Sequence, residues 1–176
     1  MLQRKFLLGA FASTAIVVPA NAQQSSTATG SAAVEIAEPS ALARLQELDF
    51  AEILVSAAGT AVINPDTDVM TTSSGITHAS GIPKAAVFQI TPSKRGSIFI
   101  RIPQSSVTLT RVSGTETVTV SDWTISANTQ SVGQGRHKVV AGNAPILFRI
   151  GATLNVGANP KMGTYEGTFE VTVENQ

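Results

Sequence analysis

The sequence predicts an all-β protein built as an antiparallel sandwich or barrel, and three observations carry that prediction. Beyond Gly59, short runs of Val, Ile, Thr and Phe recur, separated by clusters of Gly, Pro, Ser and Asn. No amphipathic stretch of helical length follows Phe50, and helices do not alternate with strands, so a parallel sheet is excluded. The chain has 176 residues with 14 glycines and 8 prolines, a length that fits one domain of ordinary size.

The elements are justified in chain order. Arg4 and Lys5 precede an apolar run from Phe6 to Val18, broken only by Gly9, Ser13 and Thr14, and Ala20-Asn21-Ala22 follows it. A positive start, a run too short to span a bilayer and a small-residue site describe a cleaved secretory signal over residues 1–22. The expected product begins at Gln23, is exported through the inner membrane and keeps no transmembrane anchor. Residues 23–40 read as an N-terminal extension and 41–176 as the β-domain. Gln23 to Gly30 is too polar to fold alone. From Ala28 every second residue is apolar or small: Ala28, Gly30, Ala32, Val34 and Ile36. A period of two marks a strand with one buried face, and Pro39 stops it.

Leu42, Leu45 and Leu48 could form a helical stripe, yet Phe50 and Ile53 to Val55 continue it into strand-like sequence, so residues 42–55 fit either element. Further strands are expected at Gly59 to Ile63, Ala85 to Ile90, Ser97 to Ile102, Val107 to Thr110, Glu116 to Ile125, Ala144 to Val156 and Gly167 to Glu174. The last alternates best, with Phe169, Val171 and Val173 on one face and Thr168, Glu170, Thr172 and Glu174 on the other. Turns are expected at Asn64-Pro65-Asp66, Thr91-Pro92-Ser93, Ser113-Gly114, Asn159-Pro160-Lys161 and Met162-Gly163.

Composition excludes several functions. The absence of cysteine removes disulfides, Cys-ligated metals and thiol nucleophiles. The formal net charge is zero, from 12 basic and 12 acidic residues, and loss of Arg4 and Lys5 makes the exported product slightly acidic. Binding to nucleic acid needs the opposite balance. His78, in a loop-like stretch from Gly75 to Gly81, reads as a surface residue. His137 reads as part of a flexible basic loop, with a polyanion contact by Arg136, His137 and Lys138 as the sharper reading. Asn64, Asp66 and Asp68 copy three calcium-loop ligands, but Val69 and Gly75 stand where Gly and Glu are required, so an Asx turn is expected instead. Gly133-Gln134-Gly135 leads into no helix and is no dinucleotide loop. No nucleophile elbow, Walker loop or His-Glu-x-x-His is present, so no enzyme activity, cofactor or metal is expected. Trp123 is read as core with its indole N–H paired, and Tyr165 as a corner tyrosine bonded to backbone, with binding of a sugar or another chain as the alternative for both.

Several phrases carry a family resemblance: Leu48-Asp49-Phe50, Gly59 to Pro65, Gly151 to Ala158 and Gly163 to Val173. Over roughly Ala41 to Asn175 the chain resembles the exported, proteobacterial domain of unknown function 4402. The resemblance implies an Ig-like β-sandwich similar to chaperone–usher fimbrial subunits, and no catalytic residues come with it. One departure stands out. Where the family usually has Gly after the Leu-x-Phe phrase, this chain has Ala51, and a positive φ there would strain an alanine.

The resemblance also gives the early alternation a role. In such fimbriae the N-terminal extension of one subunit completes the sandwich of the next. Ala28, Gly30, Ala32, Val34 and Ile36 have the spacing of such a donor strand, and the domain's own first strand or a tether is the plainer reading of the same residues. The implied function is an exported structural subunit of a fimbria or surface assembly, in the periplasm, at the cell surface or outside the cell. Its implied partners are identical or related subunits, a periplasmic chaperone and an outer-membrane usher. The alternative is a stand-alone binding module for a glycan or protein, with loops around Thr72 to Gly81 and Thr129 to Lys138 as the contact regions.

Overall fold

A computed structural model describes residues 39–126 and 128–176; the first 38, with the alternation from Ala28 to Ile36, lie outside the described residues. Described residues form strands and no helix, and all strand pairs are antiparallel. The strands are β1 (Ala41–Gln46), β2 (Glu52–Val55), β3 (Gly59–Ile63), β4 (Met70–Thr72), β5 (Ile76–Ser80), β6 (Ala86–Thr91) and β7 (Gly96–Arg101). They continue with β8 (Ser106–Arg111), β9 (Thr117–Ile125), β10 (Gln130–Ser131), β11 (Arg136–Ala141), β12 (Ile146–Val156), β13 (Tyr165–Glu166) and β14 (Thr172–Asn175).

One large sheet runs in the order β1-β6-β12-β9-β8-β13, with β3 also on β12 and β4 on β3, and it curls into a half-barrel. A second sheet has the order β10-β11-β7-β14, and β2 pairs with β5 alone. The result is sandwich-like. Alternate residues of β12 point inward, and Phe148, Ile150, Ala152, Leu154 and Val156 are all buried. Phe148 lies opposite Phe88 of β6, and their rings stack with centroids 5.5 Å apart. That end of the core is closed by Ile98 and Ile100 of β7 and Ala141 of β11. The other end, around Ala61, Ile76, Val118, Val120 and Leu154, packs against Ile53 and Val55 of β2. Trp123 and Leu48 touch both clusters.

The central strand forks. β12 pairs with β6 through Ile146 to Ile150 and with β3 through Thr153 to Val156. Gly151 stands between, and a Cβ there would collide with the Ile63 carbonyl oxygen and lie 2.9 Å from Pro65 Cδ. On the other edge of β12 the register with β9 shifts between Gly151 and Thr153. Asp122, with φ of 50°, is the extra residue of the bulge, which lets Trp123 and Ile125 follow Val118 and Val120 onto the inner face.

Several expectations need correction. Of the two elements open to residues 42–55, the chain forms strands, β1 and β2 joined through residues 47–51, and Leu42 and Leu48 pack on the core whereas Leu45 is 57% exposed, as period two requires. The stretch around His78 is β5, with His78 exposed on its surface. Arg136 to Ala141 is a strand and not a flexible loop, because its residues pair across β7. The expected strand Gly167 to Glu174 is interrupted. The chain pairs with β8 at Tyr165 and Glu166, crosses between sheets over residues 167–171, and pairs with β7 from Thr172. Its alternation survives the crossing, since Phe169, Val171 and Val173 pack on the core.

The fork yields a test. Gly151→Ala forces the Ile63 backbone and the Pro65 and Thr124 side chains to give way and should destabilise the domain by about 3 kcal/mol. A thermal melt measures it, with Gly157→Ala, whose added Cβ meets nothing within 4 Å, as the comparison.

Candidate functional site

Two features stand out on the described surface, a groove on one side and a basic sheet face on the other. The groove begins where β1 leaves the large sheet. Asp49 and Lys84 exchange backbone hydrogen bonds at 2.9 and 2.8 Å, and the Ala51 N–H donates to Asp49 Oδ1 at 2.8 Å. Ala51 is left with φ of 57°, the positive value that glycine would hold without strain. This turn carries Phe50, Ile53 and Val55 into one wall. The opposite wall is residues 160–165, where the Tyr165 hydroxyl donates to the Lys161 carbonyl at 2.7 Å as a corner tyrosine does. Leu109, Val118, Leu154 and Val156 form the floor, and the space between the walls is about 670 Å³. Met162 stands 93% exposed on the rim.

A smaller polar notch of about 370 Å³ adjoins Arg111, Val112 and Gly163. Its charge is used internally. Arg111 Nε donates to Glu116 Oε2 at 2.8 Å, and this bond raises the arginine's pKa and lowers that of the carboxylate.

The acidic loop is a structural turn. The Asp66 N–H donates to Asn64 Oδ1 at 2.8 Å, which is the expected Asx turn. Asp68 Oδ1 accepts the Ala85 N–H at 2.7 Å and pairs with Arg149. Burial pushes the Asp68 carboxyl up, but hydrogen bonds from Arg149 and Ala85 with the charges of Arg149 and Lys84 outweigh it and hold the pKa low. No group of three metal-ligating side chains occurs among the described residues. Trp123 departs from expectation: its ring lies 4.8 Å from that of Phe169, tilted by 31°, but its buried indole N–H has no partner among the described residues.

Arg136, His137 and Lys138 do not act together, because successive strand residues face opposite ways. His137 lies opposite Ile100, which is fully buried, and points inward; Arg136 and Lys138 point out. His137 Nδ1 is 2.9 Å from Thr129 Oγ1, whose hydroxyl donates to the Ser126 carbonyl at 2.8 Å, so Nδ1 carries the hydrogen of the first contact. Desolvation by burial lowers the pKa of His137.

A family model described as "Domain of unknown function (DUF4402)" matches residues 40–175, most of the chain. The chain belongs to that family. No curated protein and no solved structure matches it. The DUF4402 match begins next to the first described residue, so the sandwich, the groove and the basic face all lie within it. Sequence reasoning found Phe50, Ala51 and Tyr165 but not the groove. Leu109, Val118 and Leu154 come from three strands and share a floor only through the order β12-β9-β8.

Two outcomes are expected. Ala51→Gly should stabilise this DUF4402 domain by about 1 kcal/mol in urea denaturation, because relief of the left-handed alanine outweighs the added chain entropy of glycine. His137 has a folded pKa below its ordinary 6.5. Its contribution to stability is therefore complete above pH 6.5 and is lost as pH falls through that value to the folded pKa. Unfolding midpoints measured from pH 8 to 5 should drop over this window, and His137→Asn, which can keep the bond to Thr129, should flatten the drop.

Proposed function

We propose that this chain is an exported structural subunit joined to identical or related subunits by strand addition. One observation carries the reading. The apolar groove is walled by β2 and β13, and each is paired along one edge only among the described residues, β2 with β5 and β13 with β8. An apolar floor between two unpaired edges supplies what an incoming strand needs: backbone partners at its sides and a place for every second side chain.

The segment from Ala28 to Ile36 is the occupant proposed, contributed by a neighbouring copy. Val34 and Ile36 would each bring roughly 1.5–3 kcal/mol on full burial, and Ala28, Gly30 and Ala32 much less. In this reading residues 1–22 are a cleaved signal, residues 23–40 are the extension, and the sandwich is Ig-like and similar to chaperone–usher subunits. A periplasmic chaperone and an outer-membrane usher are the further partners. The product resides in the periplasm, at the surface or outside the cell, and the role is structural with no catalysis.

The test compares residues 23–176 with residues 39–176 by light scattering and thermal melt, with and without a synthetic peptide of residues 24–38. Concentration-dependent linear oligomers are expected of the longer chain. The peptide, at 100 times its Kd, should stabilise the shorter one by about 2.7 kcal/mol, several degrees in Tm. Equal stability and a monomer for both chains, with no effect of the peptide, would sink the proposal.

A further inference from the structure

The outer face of the four-stranded sheet carries a second feature that is independent of strand addition. On β11 and β7, Arg136 stands directly opposite Arg101, and Lys138 opposite Phe99. Residues opposite each other in an antiparallel pair share a face, so these four side chains form one block on adjacent strands. Strand spacing of about 4.8 Å and a two-residue step of about 6.8 Å set the scale of the block. The Arg136 guanidinium lies over the Phe99 ring, 4.4 Å from its centroid, which holds its direction while leaving N–H groups at its edge.

Like charges directly opposite in a sheet are destabilising. Neither arginine nor Lys138 is in an ion pair among the described residues, although three other arginines are. Glu174 of β14, opposite Phe99, is the one carboxylate in these rows of the face. The block thus sets three cations against one carboxylate on a chain whose formal net charge is zero. The block lies on the outer face of a sheet, so a small anion there would be held from one side only.

From this we propose that Arg101, Arg136 and Lys138 form a binding face for an extended acidic polysaccharide whose sulfate or carboxylate groups lie along β7 and β11. A polymer that repeats its anionic group along the chain can engage the three cations together, and each further contact is made at the effective concentration set by the first. Arg101 and Phe99 lie 35 and 37 residues before Arg136 and join the basic run only through strand pairing, so the site is a strand face and not the loop expected of residues 129–138.

The test measures binding of the purified chain to dextran sulfate and to polygalacturonate by biolayer interferometry, with neutral dextran and inorganic sulfate as comparison probes. Dextran sulfate or polygalacturonate should bind, weaken as sodium chloride is raised and withstand competition by millimolar sulfate, while neutral dextran should not bind. Arg101→Gln and Lys138→Gln should each weaken binding about tenfold, and Lys94→Gln, outside the block, should leave it unchanged. Arg101→Gln should also leave Tm equal or raised, because it removes the like-charge pair, which separates lost binding from lost folding. Unchanged affinity in both Arg101→Gln and Lys138→Gln, equal binding of neutral dextran, or equal binding of a DNA duplex of matched charge would each overturn the assignment.

Discussion

The structure depends on one strand being hydrogen-bonded along both edges while its inner residues supply both ends of the core. β12 meets β9 on one side and, in succession, β6 and β3 on the other. Its alternate residues from Phe148 to Val156 are buried, so every ladder bond it makes is also a packing constraint. Two strands cannot share one edge without a division point, and the division falls where a side chain is absent, at Gly151. The bulge at Asp122 answers it on the opposite edge by restoring the inward register of β9 after the shift.

Around that strand the second layer comes in two pieces. The four-stranded sheet covers the cluster around Phe148, and the β2–β5 pair covers the cluster around Leu154. A layer in two pieces has more edges than a continuous one. The groove between residues 48–55 and 160–165 lies along such edges, above side chains that elsewhere in the sheet would be covered. The acidic loop contributes differently, since Asp68 ties the β3–β4 turn to Arg149 of the central strand.

Period-two alternation made most strands of the large sheet legible, with Gly59 to Ile63 matching β3 end to end. It failed where one chain segment serves two sheets. Phe169, Val171 and Val173 keep a perfect alternation through a crossing that pairs with neither sheet, because burial sets the pattern and hydrogen bonding sets the strand. Arg136 to Lys138 misled for a related reason. Three basic residues in a row resemble a solvated loop, whereas pairing with β7 sends His137 inward and the other two out. The doubt attached to Ala51 was legible, because a missing glycine signals the backbone angle that glycine would have served. The groove was not legible, and of the cationic block Arg136 and Lys138 were but Arg101 was not, because strand neighbours are specified by no local pattern.

The crossing of residues 167–171 also bears on when the domain can fold. β13 completes the edge of the large sheet and β14 the edge of the smaller one, and both belong to the final stretch of the chain. β14 pairs with β7, which lies far back in the sequence, as Thr172 opposite Arg101 shows. Such contacts give the topology a high contact order, and folding of this kind is slow because long loops close before any pairing compensates them. A chain emerging from its N-terminus therefore has neither sheet finished until β13 and β14 are free. Up to that moment it is a set of open β-edges, and the interval before closure is when a stranger's strand, or a protector's, has its best access.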